Sequence, residues 1–231
     1  MIRASQDERL HWPVLAFSAL ALMALIAPFG AMLLIGEGPV GRRPELISGP
    51  ILALGMMGAG MIGGAIFGRF LIGVGLASLT GLTIILTASL AVTPGFSLSA
   101  SFAPVLLLAS VSFAARGALF ARSAGGKGWW IALFVVMGEA AIIVTAATMP
   151  GALPEWLLAL LPAQWASMEG QAVVAGGSGV RLISAPLIAL GATAAATLFV
   201  VSLWPRKWTY AVMFTTWLAA SALVHNAPDF F

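Results

Sequence analysis

Between Ser48 and Val92 the chain runs for 45 residues with a single charged side chain, Arg69. No other feature restricts the fold as strongly. An unbroken helix over that stretch would be about twice as long as a bilayer's hydrocarbon core is thick, at ~1.5 Å per residue. Two membrane-crossing helices joined by a very tight turn fit it, with the turn at Gly68-Arg69-Phe70. The same logic extends to the rest of the chain, where apolar runs near the length of a span alternate with short segments that hold the charges. Composition agrees: 8% of the 231 residues are charged and the mean hydropathy is +1.04, whereas a soluble domain carries about 25% charged residues.

Seven spans are predicted, at about 13–36, 48–67, 71–92, 102–121, 129–149, 183–204 and 209–226. They make one transmembrane domain, an all-α polytopic helix bundle. The first run, from Pro13 to Gly36, exceeds the apolar core of a signal peptide and reads as a retained helix, with a kink expected at Pro28. Threaded with the N-terminus inside and the C-terminus outside, the chain puts Arg3, Arg9, Arg69, Arg116, Arg122, Lys127, Arg206 and Lys207 on the cytoplasmic side, and Arg42, Arg43 and Arg181 outside. That is the asymmetry that orients helices in a bilayer. Trp12, Trp129, Trp130, Trp204 and Trp208 then fall at the inner interface, and Trp156 and Trp165 at the outer one. Only Trp217 falls in mid-helix. The expected setting is a bacterial inner membrane, crossed several times.

The net charge of +3 does not point to nucleic acid, because basic residues stand singly or in pairs at the ends of apolar runs. The absence of cysteine rules out disulfides, thiolate nucleophiles and cysteine-held metals. His11 and His225 lie near opposite ends of the chain, which does not suit a bis-histidine haem. No cofactor or metal is expected. Gly176-Gly177-Ser178-Gly179 with the later His225 invites comparison with a serine–histidine dyad, but no acid, base and nucleophile are convincingly placed together. An enzyme is not expected.

In the second span Gly60, Gly64 and Gly68 recur every fourth residue, and Gly73 continues the pattern in the third. Small residues at that spacing let two helix backbones approach closely in lipid. Thr80, Thr83 and Thr87 share the face of the third span. They serve packing if they bond their own backbone, or line a polar path if they do not.

Glu139 is the one acid predicted inside an apolar span, at the midpoint of the fifth. A carboxylate at that depth is expensive unless it is protonated, paired or facing a wet cavity, and such groups are functional by default. Arg116, near the inner end of the preceding antiparallel span, is the expected partner. Beyond Glu139, Pro154 and Pro162 bracket an apolar stretch with Trp156 inside it and Trp165 just after. That segment, about 154–170, is too short to cross and is expected to lie in the outer interface or to dip in and return.

The order of apolar span, proline- and tryptophan-rich outer segment, next span and basic stop, over residues 129–207, resembles the C-terminal half of ABC-2-type export permeases. The resemblance implies transport and an ATPase partner. The chain departs from that pattern at Gly68-Arg69-Phe70, where the permeases carry a charged coupling segment, and in having a seventh span. The expected function is a permease or transport component whose path runs between the Thr80/Thr83/Thr87 face and Glu139. The alternative is a non-catalytic accessory or assembly subunit of a larger membrane complex. The expected partners are the bilayer, other membrane subunits or an ATPase.

Overall fold

The computed structural model describes residues 44–91, 102–174 and 184–227. Among these residues all regular structure is helical. The helices are α1 (Pro44–Phe67), α2 (Phe70–Ala91), α3 (Phe102–Ala124), α4 (Gly128–Thr148), α5 (Glu155–Ala159), α6 (Pro162–Val174), α7 (Ala185–Ser202) and α8 (Trp208–His225), with a 3₁₀ turn at Gly125–Lys127. The expected span at 13–36 with Pro28, the loop Gly176-Gly177-Ser178-Gly179 and Arg181 lie outside the described residues.

Among the described residues, four stretches are long and apolar enough to cross a membrane: Gly49–Phe67, Phe70–Thr87, Phe102–Thr148 and Ala185–Ser202. They mark the chain as a membrane protein. The third is 47 residues long and is not one rod. Gly125 takes a positive φ of 54°, and the 3₁₀ turn folds α4 back on α3. A Cβ on Gly128 would strike the carbonyl oxygen of Phe120. Helix α8 is 18 residues long but carries polar and aromatic residues along its length, and it falls outside those four stretches. Helix α1 begins at Pro44, inside the segment expected to be a loop.

Helices α1, α2 and α3 form the tightest part of the bundle. A Cβ on Gly73 of α2 would lie 2.8 Å from the Gly60 carbonyl oxygen and 3.1 Å from the Gly64 Cα of α1. On Gly60 it would lie 3.1 Å from both Ala77 and Phe113. On Gly117 of α3 it would strike the Met61 backbone. Three backbones therefore approach where only glycine leaves room, and close packing takes over the role that water plays in a soluble core. Since Gly60 meets Phe113 and Gly64 meets Gly117, α1 and α3 run parallel, with α2 returning beside them. Gly68 has a different task from the packing expected of it. Its φ of 61° ends α1 in the left-handed region, and a Cβ there would meet nothing within 4 Å. It makes the turn.

Arg69, Arg122, Lys127, Arg206 and Lys207 are all exposed, at the short turns α1–α2, α3–α4 and α7–α8. Along α2 and α4 the outer surface is mostly apolar. Leu71, Leu79, Leu82 and Leu86 of α2 and Phe134 and Met137 of α4 are among the exposed large side chains. In water so much exposed apolar surface would drive aggregation; against acyl chains it costs nothing.

Candidate functional site

The site is built around a broken helical hairpin. After α4 ends, the chain turns at Met149–Ala152 and enters the short helix α5. It breaks at Leu160-Leu161 and restarts as α6. Pro162 opens α6, where its fixed φ suits the first helical position and its missing N–H is no loss. The first N–H that α6 can offer is therefore that of Ala163. It donates to Glu139 Oε2 at 3.1 Å. Glu139 thus caps α6 from another helix, with its carboxylate at the positive end of the helix dipole. Because Glu139 lies ten residues before Met149, the chain has come back about 15 Å along α4 to reach it.

On the other side of the break a second side chain closes the geometry. Trp217, in the middle of α8, donates its indole N–H to the Leu160 carbonyl at 3.1 Å. Trp165 is fully buried and donates to the Ala159 carbonyl at 2.8 Å. Every interruption of a helix leaves backbone groups without intrahelical partners, and in an apolar interior each one is costly. Here the two groups flanking the break are met by the mid-helix acid of α4 and the mid-helix tryptophan of α8. These were the two residues whose positions in the sequence looked anomalous.

Arg116 of α3 interacts electrostatically with Glu139. Its Nη1 is buried with no hydrogen-bond partner among the described residues. The pairing follows from the short α3–α4 turn, which puts Arg116 and Glu139 on adjacent antiparallel helices at similar heights.

The other expected site residues are placed differently. Thr83 donates to the Leu79 carbonyl at 2.8 Å and Thr87 to the Thr83 carbonyl at 2.7 Å, so both bond their own helix. Thr80 is buried. Helix α2 packs on α1 and α3, and α4 packs on the other sides of the same two helices. The threonine face and Glu139 are therefore not brought together. Trp156 is exposed and Trp165 is interior. The segment from Pro154 through Pro162 onward thus leads into the bundle, with α6 seated between α1 and α7.

Sequence reasoning missed Glu169. It lies on α6, is 6% exposed, and bonds to the side chain of Ser184. Ser184 is itself the N-cap of α7, accepting the Leu187 N–H at 3.3 Å. A usable signal was present. The twelve residues after Pro162 contain one glycine, Gly170, and are otherwise able to form a helix, which places Glu169 on a helix one turn from Trp165. No protein-family model, no curated protein and no solved structure matches the chain.

Proposed function

We propose that the chain is a membrane transport component in which Glu139 is the working acid. The observation that carries this reading is the Glu139 carboxylate on the Ala163 N–H, in the middle of an apolar helix and facing Arg116. Broken backbone at membrane depth is tolerated only where it is packed in protein or lines a cavity. Transport proteins use half-helix N-termini at that depth to hold charge. In this reading α5 and α6 are a re-entrant hairpin that enters from the outer side. Seven spans with the N-terminus inside put the three basic turns in the cytoplasm of a bacterial cell and the hairpin on the outer half. A proton arriving at Glu139 neutralises the charge that holds the N-terminus of α6, and the hairpin tip is released. Once the proton has left, the carboxylate again faces Arg116 and holds the Ala163 N–H, and the resting state is restored.

The test is proton flux into proteoliposomes of the purified chain, under an imposed membrane potential, with a trapped pH dye. Glu139→Gln keeps an acceptor oxygen for Ala163 and is expected to insert and fold, yet to lower flux about a hundredfold. Equal flux in the two proteins would sink the reading.

A second reading, an accessory subunit, draws on the sealing of Glu139 against α6 and on the glycine-lined contacts of α1 to α3. It predicts no flux from the isolated chain and a stoichiometric membrane partner after mild-detergent purification. An ATPase among the co-purified proteins would favour the export-permease form of the first reading.

A further inference from the structure

Four buried side-chain atoms have no hydrogen-bond partner among the described residues: Ser112 Oγ, Arg116 Nη1, Ser167 Oγ and Glu169 Oε1. All four lie on two helices, α3 and α6, and these helices pack against each other. Random defects would be scattered over the bundle. Buried polar atoms left without protein partners are the usual seats of internal water, each water needing two to four such partners.

Their placement along the helices is ordered. On α3, a Cβ on Gly191 of α7 would meet Leu108 at 3.7 Å, and Ser112 and Arg116 follow Leu108 about one and two turns along the helix. On α6, Glu169 faces α7 through Ser184. Ser112 and Glu169 therefore both border the junction of α3, α6 and α7. Ser112 stands one turn, about 6 Å, from Arg116, and Glu169 stands six residues, about 9 Å, beyond Ala163 in the same direction. Arg116 and Ala163 both meet Glu139. The polar atoms thus form a graded series from the N-terminus of α7 to the mid-helix acid. Ser167 lies to one side of that line, since its Oγ would be 3.1 Å from a Cβ on Gly49 of α1.

We propose that this junction holds a file of internal waters that carries protons between Glu169 and Glu139, with Glu169 as the entry carboxylate. The inference rests on the transport reading of Glu139 and deepens it by naming the route. A proton from water at the α7 end adds to the Glu169 carboxylate and moves by hydrogen-bond exchange past Ser112. It is then taken up by the Glu139 carboxylate while Arg116 keeps its own proton and its charge. Ser184 is a positioning residue: its hydroxyl accepts the Leu187 N–H and fixes one oxygen of Glu169, leaving Oε1 toward the file. Among described charged side chains on the elements that pack against α6, Arg116 on α3 is half-buried, and Arg122 on α3 and Glu155 on α5 are exposed.

Two measurements test this. The first is the infrared C=O stretch of the carboxyl group of Glu139, the acid at the inner end of the file, in the purified protein at low pH, assigned by its loss in Glu139→Gln and followed after transfer to D2O. A hydrated file predicts a deuterium shift complete within mixing. A band that stays unshifted for hours overturns the proposal whatever the transport result. The second is flux in the proteoliposome assay, where Glu169→Gln and Ser112→Ala are each expected to lower the rate about a hundredfold and Glu169→Asp to recover part of it. If Glu139→Gln abolishes flux but Glu169→Gln and Ser112→Ala run at the wild-type rate, the transport reading survives and the route is wrong. If the wild-type chain carries no protons but the band exchanges at once, the file exists and the transport reading is the part that fails. Should Glu169→Gln not insert, Ser112→Ala with its unaltered acids decides the flux question alone.

Discussion

Replacing Gly73 with alanine adds one methyl group at the most crowded point of the bundle. That group would lie 2.8 Å from the Gly60 carbonyl oxygen, 3.0 Å from Ala114 Cβ and 3.1 Å from Gly64 Cα. None of these atoms sits at the end of a rotatable side chain, so α1, α2 and α3 must move apart together. Overpacking of this kind costs about 1–3 kcal/mol. Part of the cost is offset because alanine is the better helix former by ~1 kcal/mol. Gly75 separates the two effects. It lies two residues along the same helix, and a Cβ there would meet nothing within 4 Å. The propensity gain is common to both substitutions and cancels in their difference. Gly75→Ala should be neutral to stabilising, and Gly73→Ala should be less stable than Gly75→Ala by about 1–3 kcal/mol, roughly 5- to 150-fold in the folded-to-unfolded ratio. Equilibrium unfolding in mixed detergent–lipid bicelles, followed by far-ultraviolet circular dichroism, measures it. Equal stabilities for the two variants would refute the argument that backbone contact, and not glycine's flexibility, explains the stripe.

Trp217→Phe keeps the ring in place but removes the donor to the Leu160 carbonyl; a loss of about 1–3 kcal/mol is expected in the same unfolding assay, and a wild-type midpoint would show that this carbonyl finds another partner. Gly68→Ala forces a side chain into the left-handed region at a site free of contacts, so its cost is purely conformational at about 1–2 kcal/mol. Gly68→Asn should recover part of that loss, and an alanine variant as stable as wild type would mean that the turn relaxes to another geometry.

The long helices were legible in the sequence because each must bury or immerse a run of apolar residues, and such runs appear directly in the composition. The turn at Gly68-Arg69 was legible for the same reason: two spans had to fit within 45 residues. Glu139 was legible as a cost, and Arg116 as its neighbour, because a short turn fixes the register of two antiparallel helices. The Ala163 N–H was not legible. Every residue carries a backbone amide, and only the break at Pro162 made this one available. The threonines of α2 show the limit from the other side. A hydroxyl in an apolar helix can satisfy itself one turn back as readily as it can line a path, and the residue pattern is the same in both cases. Glu169 fell within the segment expected to lie in the outer interface or to dip in and return, where a thirteen-residue helix is too short to register as a span and its acid carries no sign of burial.

The hairpin break also sets an order of assembly. Glu139 precedes the break in the chain and is available as soon as α4 has formed. Trp217 follows Leu160 by 57 residues and is made about 3 to 11 s later at ~5–20 residues per second. During that interval the Leu160 carbonyl lacks its indole donor, and the tip is secured on one side only. The tip is therefore secured on its second side only when α8 arrives. A chain released before α8 would hold a hairpin whose Leu160 carbonyl is open, and burying that carbonyl without a donor would cost about 1–3 kcal/mol.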